Sequence, residues 1–143
     1  MSTEDNKTLD RRRFEEAWNK GNLAVVDELS DANVVTQNPP GPPLQGTEAL
    51  KQFVLMYRSA LPDVQMTIED QIADGDKVVT RWTARGTHKG ELMGIPPTGK
   101  QTTVTGISFN RWANGKVVES WTNFDALGMM QQLGVVPAPG QTS

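Results

Sequence analysis

The feature that most constrains this chain is a change of hydrophobic period partway along it. Up to about Leu61 the apolar residues recur at helical spacing, and from Val64 onward they alternate with polar ones. In the first part, Leu9, Phe14, Ala17 and Trp18 fall near one stripe of a helix over 9–18, which Asn19-Lys20-Gly21-Asn22 ends. Leu23, Val26 and Leu29 mark a short second helix, and Ser30-Asp31-Ala32-Asn33 breaks the chain before a strand at Val34-Val35-Thr36. The four prolines of Asn38-Pro39-Pro40-Gly41-Pro42-Pro43 remove backbone donors and fix φ, so this segment is predicted to be a rigid loop. A third helix starts after Thr47 as N-cap, carries the stripe Leu50, Phe53, Val54 and Tyr57, and ends near Ala60-Leu61-Pro62.

In the second part, Val64, Met66, Ile68 and Ile72 alternate with Gln65, Thr67, Glu69 and Gln71, and Asp74-Gly75-Asp76 turns the chain into a long strand over 77–88. Gly90 to Lys100, rich in Gly and Pro, is a loop. Strands over 102–112 and 116–124 follow, joined at Asn114-Gly115, a pair that favours the positive φ of a hairpin turn. A closing helix over 126–133 stops at Gly134, and Pro137 to Ser143 reads as a mobile tail. Helices first and long antiparallel strands after give an α+β fold. The expectation is one domain over 1–143, with an ordered core over 9–137 and flexible ends at 1–8 and 138–143. A twisted sheet covered on one side by helices can curl into a cone around an apolar pocket, although four long strands do not fix that curvature by pattern alone.

Composition narrows the chemistry. A chain of 143 residues buries enough surface for a core with room for a pocket. Its net charge of -3 lacks the footprint of a nucleic-acid binder. Without cysteine there is no disulfide, thiolate zinc site or cysteine nucleophile, and one histidine cannot build a multi-histidine metal centre, so no metal is expected. No run approaches the roughly 20 apolar residues that cross a bilayer, and the polar N-terminus precedes no secretory segment, so a cytoplasmic protein without membrane contact is expected.

Strand parity selects the candidate residues, because successive side chains point to opposite faces. His88 shares a face with Val78, Thr80, Trp82, Ala84 and Gly86; Asp125 shares one with Asn123, Trp121, Glu119 and Val117. A carboxylate following Trp121 and Phe124 at a pocket rim would be poorly hydrated and therefore a better proton acceptor, making Asp125 the first candidate base. The alternative is that Asp125 only caps the helix starting at Ala126. His88 either donates to a substrate oxygen and exchanges a proton, or satisfies loop carbonyls at a strand end. Trp18, Tyr57, Trp82, Phe109, Trp112 and Trp121 line a pocket for a flat ligand or are plain core. Gln37 and Asn38 end the first strand beside the proline loop, where they either orient a ligand carbonyl or make ordinary loop hydrogen bonds, and Asn123 shares the face of Asp125. The Pro97-Thr98-Gly99-Lys100 string lacks the spacing of a phosphate loop.

Several strings taken together resemble the SnoaL-like polyketide cyclase family: Phe14-x-x-Ala17-Trp18-Asn19-x-Gly21-Asn22, Leu61-Pro62-Asp63, Gly86-Thr87-His88-x-Gly90-Glu91 through Gly94-Ile95-Pro96-Pro97-Thr98-Gly99-Lys100, and Asp125-x-x-Gly128-x-x-x-Gln132-Leu133-Gly134. The resemblance runs from about Leu9 to Pro137. It implies a cone-shaped α+β barrel of the kind shared with nuclear transport factor 2 and ketosteroid isomerase, assembled as a homodimer or homotetramer. It further implies a cofactor-independent intramolecular aldol condensation of a polyketide ester, with Asp125 at the acid/base position; the leading expectation adds His88 as hydrogen-bond donor or proton partner and an apolar, polyketide-like substrate. Two departures stand out. Thr36-Gln37-Asn38 replaces a histidine often found beside the first strand, and a second polar pocket position falls near Asn110 or Arg111. A non-catalytic ligand-binding or dimerisation module and a cofactor-independent hydroxylase are the competing readings. An isomerase or epoxide hydrolase is disfavoured, since Tyr57 is the only tyrosine and no Asp-Arg-Asp set is evident.

Overall fold

The computed structural model describes residues 2–38 and 41–137; Pro39, Pro40 and the tail beyond Pro137 lie outside the described residues. Helices α1 (Thr3–Asn19) and α2 (Ala24–Leu29) come first, then strands β1 (Ser30–Gln37) and β2 (Leu44–Gln45), then helix α3 (Gly46–Ala60). Strands β3 (Gln65–Asp74), β4 (Lys77–Thr87), β5 (Gln101–Ala113) and β6 (Lys116–Phe124) follow, and helix α4 (Ala126–Leu133) closes the chain. One curved six-stranded sheet runs in the order β2-β1-β6-β5-β4-β3. It is mixed, because β1 pairs parallel with β6 whereas the other pairs are antiparallel. The expected α+β architecture is therefore the observed one.

Helix α1 begins at Thr3, well before Leu9, so residues 2–8 are not a loose end. Ser2 Oγ accepts from the Asp5 N–H at 3.0 Å and Asp5 Oδ2 accepts from the Ser2 N–H at 3.1 Å, a reciprocal capping box that a hydrophobic stripe does not reveal. Strand β1 is likewise longer than Val34-Val35-Thr36: it begins at the polar Ser30, which pairs with Val117 on β6, and its register against β6 is irregular between Ser30 and Val35. Helix α3 starts at Gly46 with Gln45 at the cap, without the side-chain bond expected of Thr47.

Bulges in β3 and β6 reset the parity of those strands, each inserting one residue that the partner strand does not match. In β3 the register shifts between Ile68 and Asp70, so Gln71 turns inward and Ile72 turns outward, where it is 64% exposed. In β6 the register skips Val118 opposite Arg111 and Trp112. Val117 therefore faces inward with Ser120, Thr122 and Phe124, not outward with Trp121 and Asn123.

The inner face is packed in two clusters. Val25, Val26, Leu29, Val34, Val78, Trp112 and Val117 seal one end beneath α2, while Leu61, Val64, Met66, Trp82, Val104, Met129 and Leu133 fill the other beneath α3 and α4. No described helix is long and apolar enough to cross a membrane.

Candidate functional site

Between the two clusters the helices stand off the sheet and leave a cavity of about 130 Å³ that communicates with solvent. A space of that size accommodates a group near one aromatic ring, since an engineered void of roughly 150 Å³ takes benzene. A larger ligand must extend through the opening.

The strand register divides the inner wall into rows. Thr36, Ser120 and Asn110 sit side by side on β1, β6 and β5, and the next row carries Thr122, Ser108 and Thr80, with Asn38 just beyond β1. One step further along, Phe124, Gly106 and Trp82 form an apolar row, followed by Val104, Ala84 and Met66. Phe14, Trp18, Phe53 and Tyr57 face these rows from α1 and α3. The cavity therefore has a polar end and an aromatic end.

Gly106 makes the aromatic end possible. A Cβ there would lie 2.2 Å from Trp82 Cζ2, so only glycine lets the indole lie flat across β5. In that pose Trp82 Nε1 donates to Ser108 Oγ at 3.0 Å, and Ser108 Oγ is 3.0 Å from Thr122 Oγ1, which links the two ends.

Asp10 of α1 organises the polar end. It is 3% exposed and accepts from Thr80 Oγ1 at 3.1 Å, Asn110 Nδ2 at 2.8 Å and Trp112 Nε1 at 2.9 Å. Arg13, one turn along, donates through Nε to Ser30 Oγ at 2.9 Å and lines the cavity. Its terminal nitrogens have no hydrogen-bond partner among the described residues. Burial pushes the Arg13 pKa down, and the nearby Asp10 carboxylate acts in the opposite sense. Burial also raises the pKa of Tyr57.

The residues singled out from sequence divide between the two faces. Trp18, Tyr57 and Trp82 line the cavity. Gln37, Phe109, Trp121 and Asn123 do not; they lie on the outer face, where Gln37 pairs with Trp121 and the Phe109 and Trp121 rings meet edge to face at 5.5 Å. The neighbours of Gln37, Thr36 and Asn38, are the ones that turn inward. Trp112 is core beneath α2.

The placement expected for Asp125, a poorly hydrated carboxylate at the cavity rim, is not the one found. Asp125 is exposed and caps α4, with Oδ1 accepting from the Gly128 N–H at 2.8 Å. A Cβ at position 128 would fall 2.1 Å from Asp125 Oδ2, so Gly128 is the partner of this cap. His88 is 0% exposed but does not line the cavity. Its Nδ1 accepts from the Thr98 N–H at 3.2 Å and lies 3.0 Å from Thr98 Oγ1, which ties the 88–100 loop to the end of β4. A main-chain N–H only donates, so Nδ1 is the acceptor and the ring proton sits on Nε2. Asp10 and Arg13 carry no signal in the sequence, since both sit among the charged residues of a helix whose stripe is defined by Phe14 and Trp18.

A model of the SnoaL-like polyketide cyclases matches residues 8–133. The chain belongs to that family. It is 30% identical over 128 residues to the aklanonic acid methyl ester cyclase DnrD of Streptomyces peucetius, spanning 86% of this chain and 87% of that one. Among solved structures it resembles IdmH of Streptomyces antibioticus, a candidate polyketide cyclase, with a TM-score of 0.77 and 33% identity, covering 94% of this chain and 99% of the other. AclR of Streptomyces galilaeus, a candidate hydroxylase, superposes with a TM-score of 0.86 at 26% identity over 98% of this chain and 87% of its own. The strings that carry the SnoaL-like resemblance are largely architectural here. Gln132 pairs its amide with the Thr103 N–H and C=O at 2.7 and 2.8 Å, docking α4 on β5. Asn19 does the same to Met66 on β3 at 2.6 and 3.0 Å. Gly90 lets the loop after His88 approach α3, where a Cβ would lie 2.5 Å from the Ser59 carbonyl oxygen.

Proposed function

We propose that this SnoaL-like protein is a cyclase-type enzyme that closes a ring in an apolar, carbonyl-rich, polyketide-like substrate held in the cone. The observation that carries the reading is a cavity with an aromatic end and a polar end, the latter holding one partly unpartnered cation, in a chain of this family. In an intramolecular aldol step, a carbon flanked by two carbonyls loses a proton, and its enolate attacks a third carbonyl of the same chain. The new C–C bond forms as the attacked carbonyl becomes an alkoxide and takes up a proton. The atoms balance as an isomerisation.

Confinement supplies the orientation. Arg13 supplies a donor for the oxygen on which charge develops, in surroundings of low polarity where such a donor acts strongly. No carboxylate lines the cavity among the described residues, so the proton departs to solvent or substrate arrives as the enolate fraction that flanking carbonyls permit. The rate should then rise with pH until the bound substrate is fully ionised. A role for Asp125 as the base would require it to leave its cap.

The test is incubation with a polyketide methyl ester, followed by chromatography and mass spectrometry. A product of unchanged mass, formed faster than in buffer, supports the reading, and no conversion at any pH overturns it. The lack of a carboxylate in the lining favours one rival, a non-catalytic ligand-binding module, which would bind the ester without turnover. A product heavier by one oxygen would select hydroxylation instead.

We also propose that a second copy of the chain covers the outer face of the sheet. Ile72, Val79, Phe109 and Trp121 are paired in one row across four strands, between rows that hold Lys77, Arg111 and Glu119 on one side and Asp70 and Arg81 on the other. An apolar strip flanked by both signs of charge suits a self-complementary contact. Sedimentation should give a dimer that Trp121→Glu dissociates; a monomeric wild type refutes this.

A further inference from the structure

Four buried side-chain polar atoms among the described residues have no hydrogen-bond partner: Thr36 Oγ1, Asn38 Oδ1, Asn110 Oδ1 and His88 Nε2. The first three belong to residues that line the polar end of the cavity, and these residues are 6%, 8% and 5% exposed. Native interiors rarely leave such atoms unsatisfied, and three around one space mark a place where something else completes them. We infer that the polar end of the cavity is a recognition subsite for a ligand group that carries a hydroxyl and a carbonyl within a few bonds of each other.

The polarity of each wall atom selects that group. Trp112 Nε1 and Asn110 Nδ2 both lie on Asp10 Oδ1, and an indole N–H can only donate, so Asp10 Oδ1 is an acceptor and Asn110 must present its amide nitrogen to it. Asn110 Oδ1 therefore turns away from Asp10 and offers an acceptor to the cavity. Asn38 presents a second amide, whose two ends no side-chain bond among the described residues fixes, and the Thr36 hydroxyl serves either way. Arg13 contributes donors only, through terminal nitrogens that no described residue engages. A carboxylate would satisfy Arg13 but face the Asn110 amide oxygen, and an amine would satisfy that oxygen but face a guanidinium. A hydroxyl bonded to Asn38 and Thr36, with a carbonyl taken by Arg13, leaves no such conflict. The adjoining apolar rows take the hydrocarbon to which the group is attached.

This inference rests on the cavity being the substrate site, but its test does not require turnover. The probes are 3-hydroxyacetophenone, acetophenone, 3-ethylphenol and benzoate, titrated by calorimetry and by the fluorescence of the tryptophans, of which Trp18 and Trp82 line the cavity. The hydroxy-ketone should bind about tenfold more tightly than the ketone or the phenol alone, and benzoate should bind least. Thr36→Val and Asn38→Leu remove atoms that have no protein partner. They should leave acetophenone affinity within about threefold and abolish the tenfold preference, while raising the thermal midpoint because a buried unsatisfied group is gone. A merely structural polar cluster would not give higher stability with lower selectivity. Equal affinity for hydroxy-ketone and ketone, tightest binding of benzoate, or a preference intact in both variants would each overturn the inference. Absence of ring closure with a preserved probe preference would sink only the enzymatic reading.

Discussion

Gly106→Ala is the substitution whose effect follows most directly from the packing. The added Cβ would stand 2.2, 2.6 and 2.7 Å from Trp82 Cζ2, Cη2 and Cε2. Carbon atoms in contact prefer about 3.5–4.0 Å, so the indole must retreat by roughly 1 Å or more. It cannot do so freely, because Nε1 is bonded to Ser108 Oγ and Phe14 packs against the ring with centroids 6.1 Å apart. Overpacking of this kind costs about 1–3 kcal/mol, and loss of the buried hydrogen bond adds about 1 kcal/mol. The expected total is about 2–4 kcal/mol, a large share of the roughly 5–15 kcal/mol that holds a domain folded. Urea unfolding followed by tryptophan fluorescence should show the midpoint falling by about 1–2 M at an unchanged m value, with an altered native emission from the displaced indole. A midpoint within about 0.2 M of wild type and an unaltered native spectrum would refute the claim that Trp82 is pinned across Gly106.

Asp10→Leu removes the acceptor of three buried donors, from Thr80, Asn110 and Trp112, and should destabilise by at least about 3 kcal/mol in the same assay. Gly90→Ala places a Cβ 2.5 Å from the Ser59 carbonyl oxygen, so the 88–100 loop should lose amide-exchange protection while the β4–β5 ladder keeps its own. The Thr87 N–H and hydroxyl hold Asp63 below the usual carboxylate range. A depressed folded-state pKa contributes stability above the unfolded pKa that is lost as pH falls through the folded one. Acid titration of the thermal midpoint should therefore show a smaller loss in Asp63→Asn than in wild type, read below the ordinary carboxylate range.

The architecture could be read from the chain because each long element carried its own period or its own turn. The alternation over 77–88 and 102–112 continues without interruption in β4 and β5, and their inner residues Trp82, Ala84, Val104 and Ser108 are where parity puts them. Parity failed where one inserted residue, Glu69 or Val118, turned a strand over, since a bulge leaves no mark in an alternating pattern. That slip hides the inward turn of Gln71 and Val117. It does not explain Asp125, whose carboxylate is directed by the helix it caps. The site was less legible than the fold for a related reason. The recognisable strings around His88 and Asp125 fix a loop and dock a helix, jobs that constrain sequence as strongly as chemistry does. Arg13, Thr36 and Asn110 acquire meaning only when α1, β1 and β5 come together, and nothing in their spacing announces it. Asn38 stands out in the sequence by its place beside the proline loop, but so does Gln37, which faces the other way.

The central claim is that chemistry occurs in the cone beside Arg13 and not at the exposed cap beside Asp125. The most direct measurement is kcat/KM for Arg13→Met and Asp125→Asn side by side, on whichever polyketide methyl ester the protein converts. Removing a charge-stabilising donor from an enclosed site typically lowers kcat by about 10²–10³, so Arg13→Met should fall by that much while Asp125→Asn stays within about threefold of wild type. An Asp125→Asn enzyme that is inactive though folded, beside an Arg13→Met enzyme that still turns over, would contradict the account.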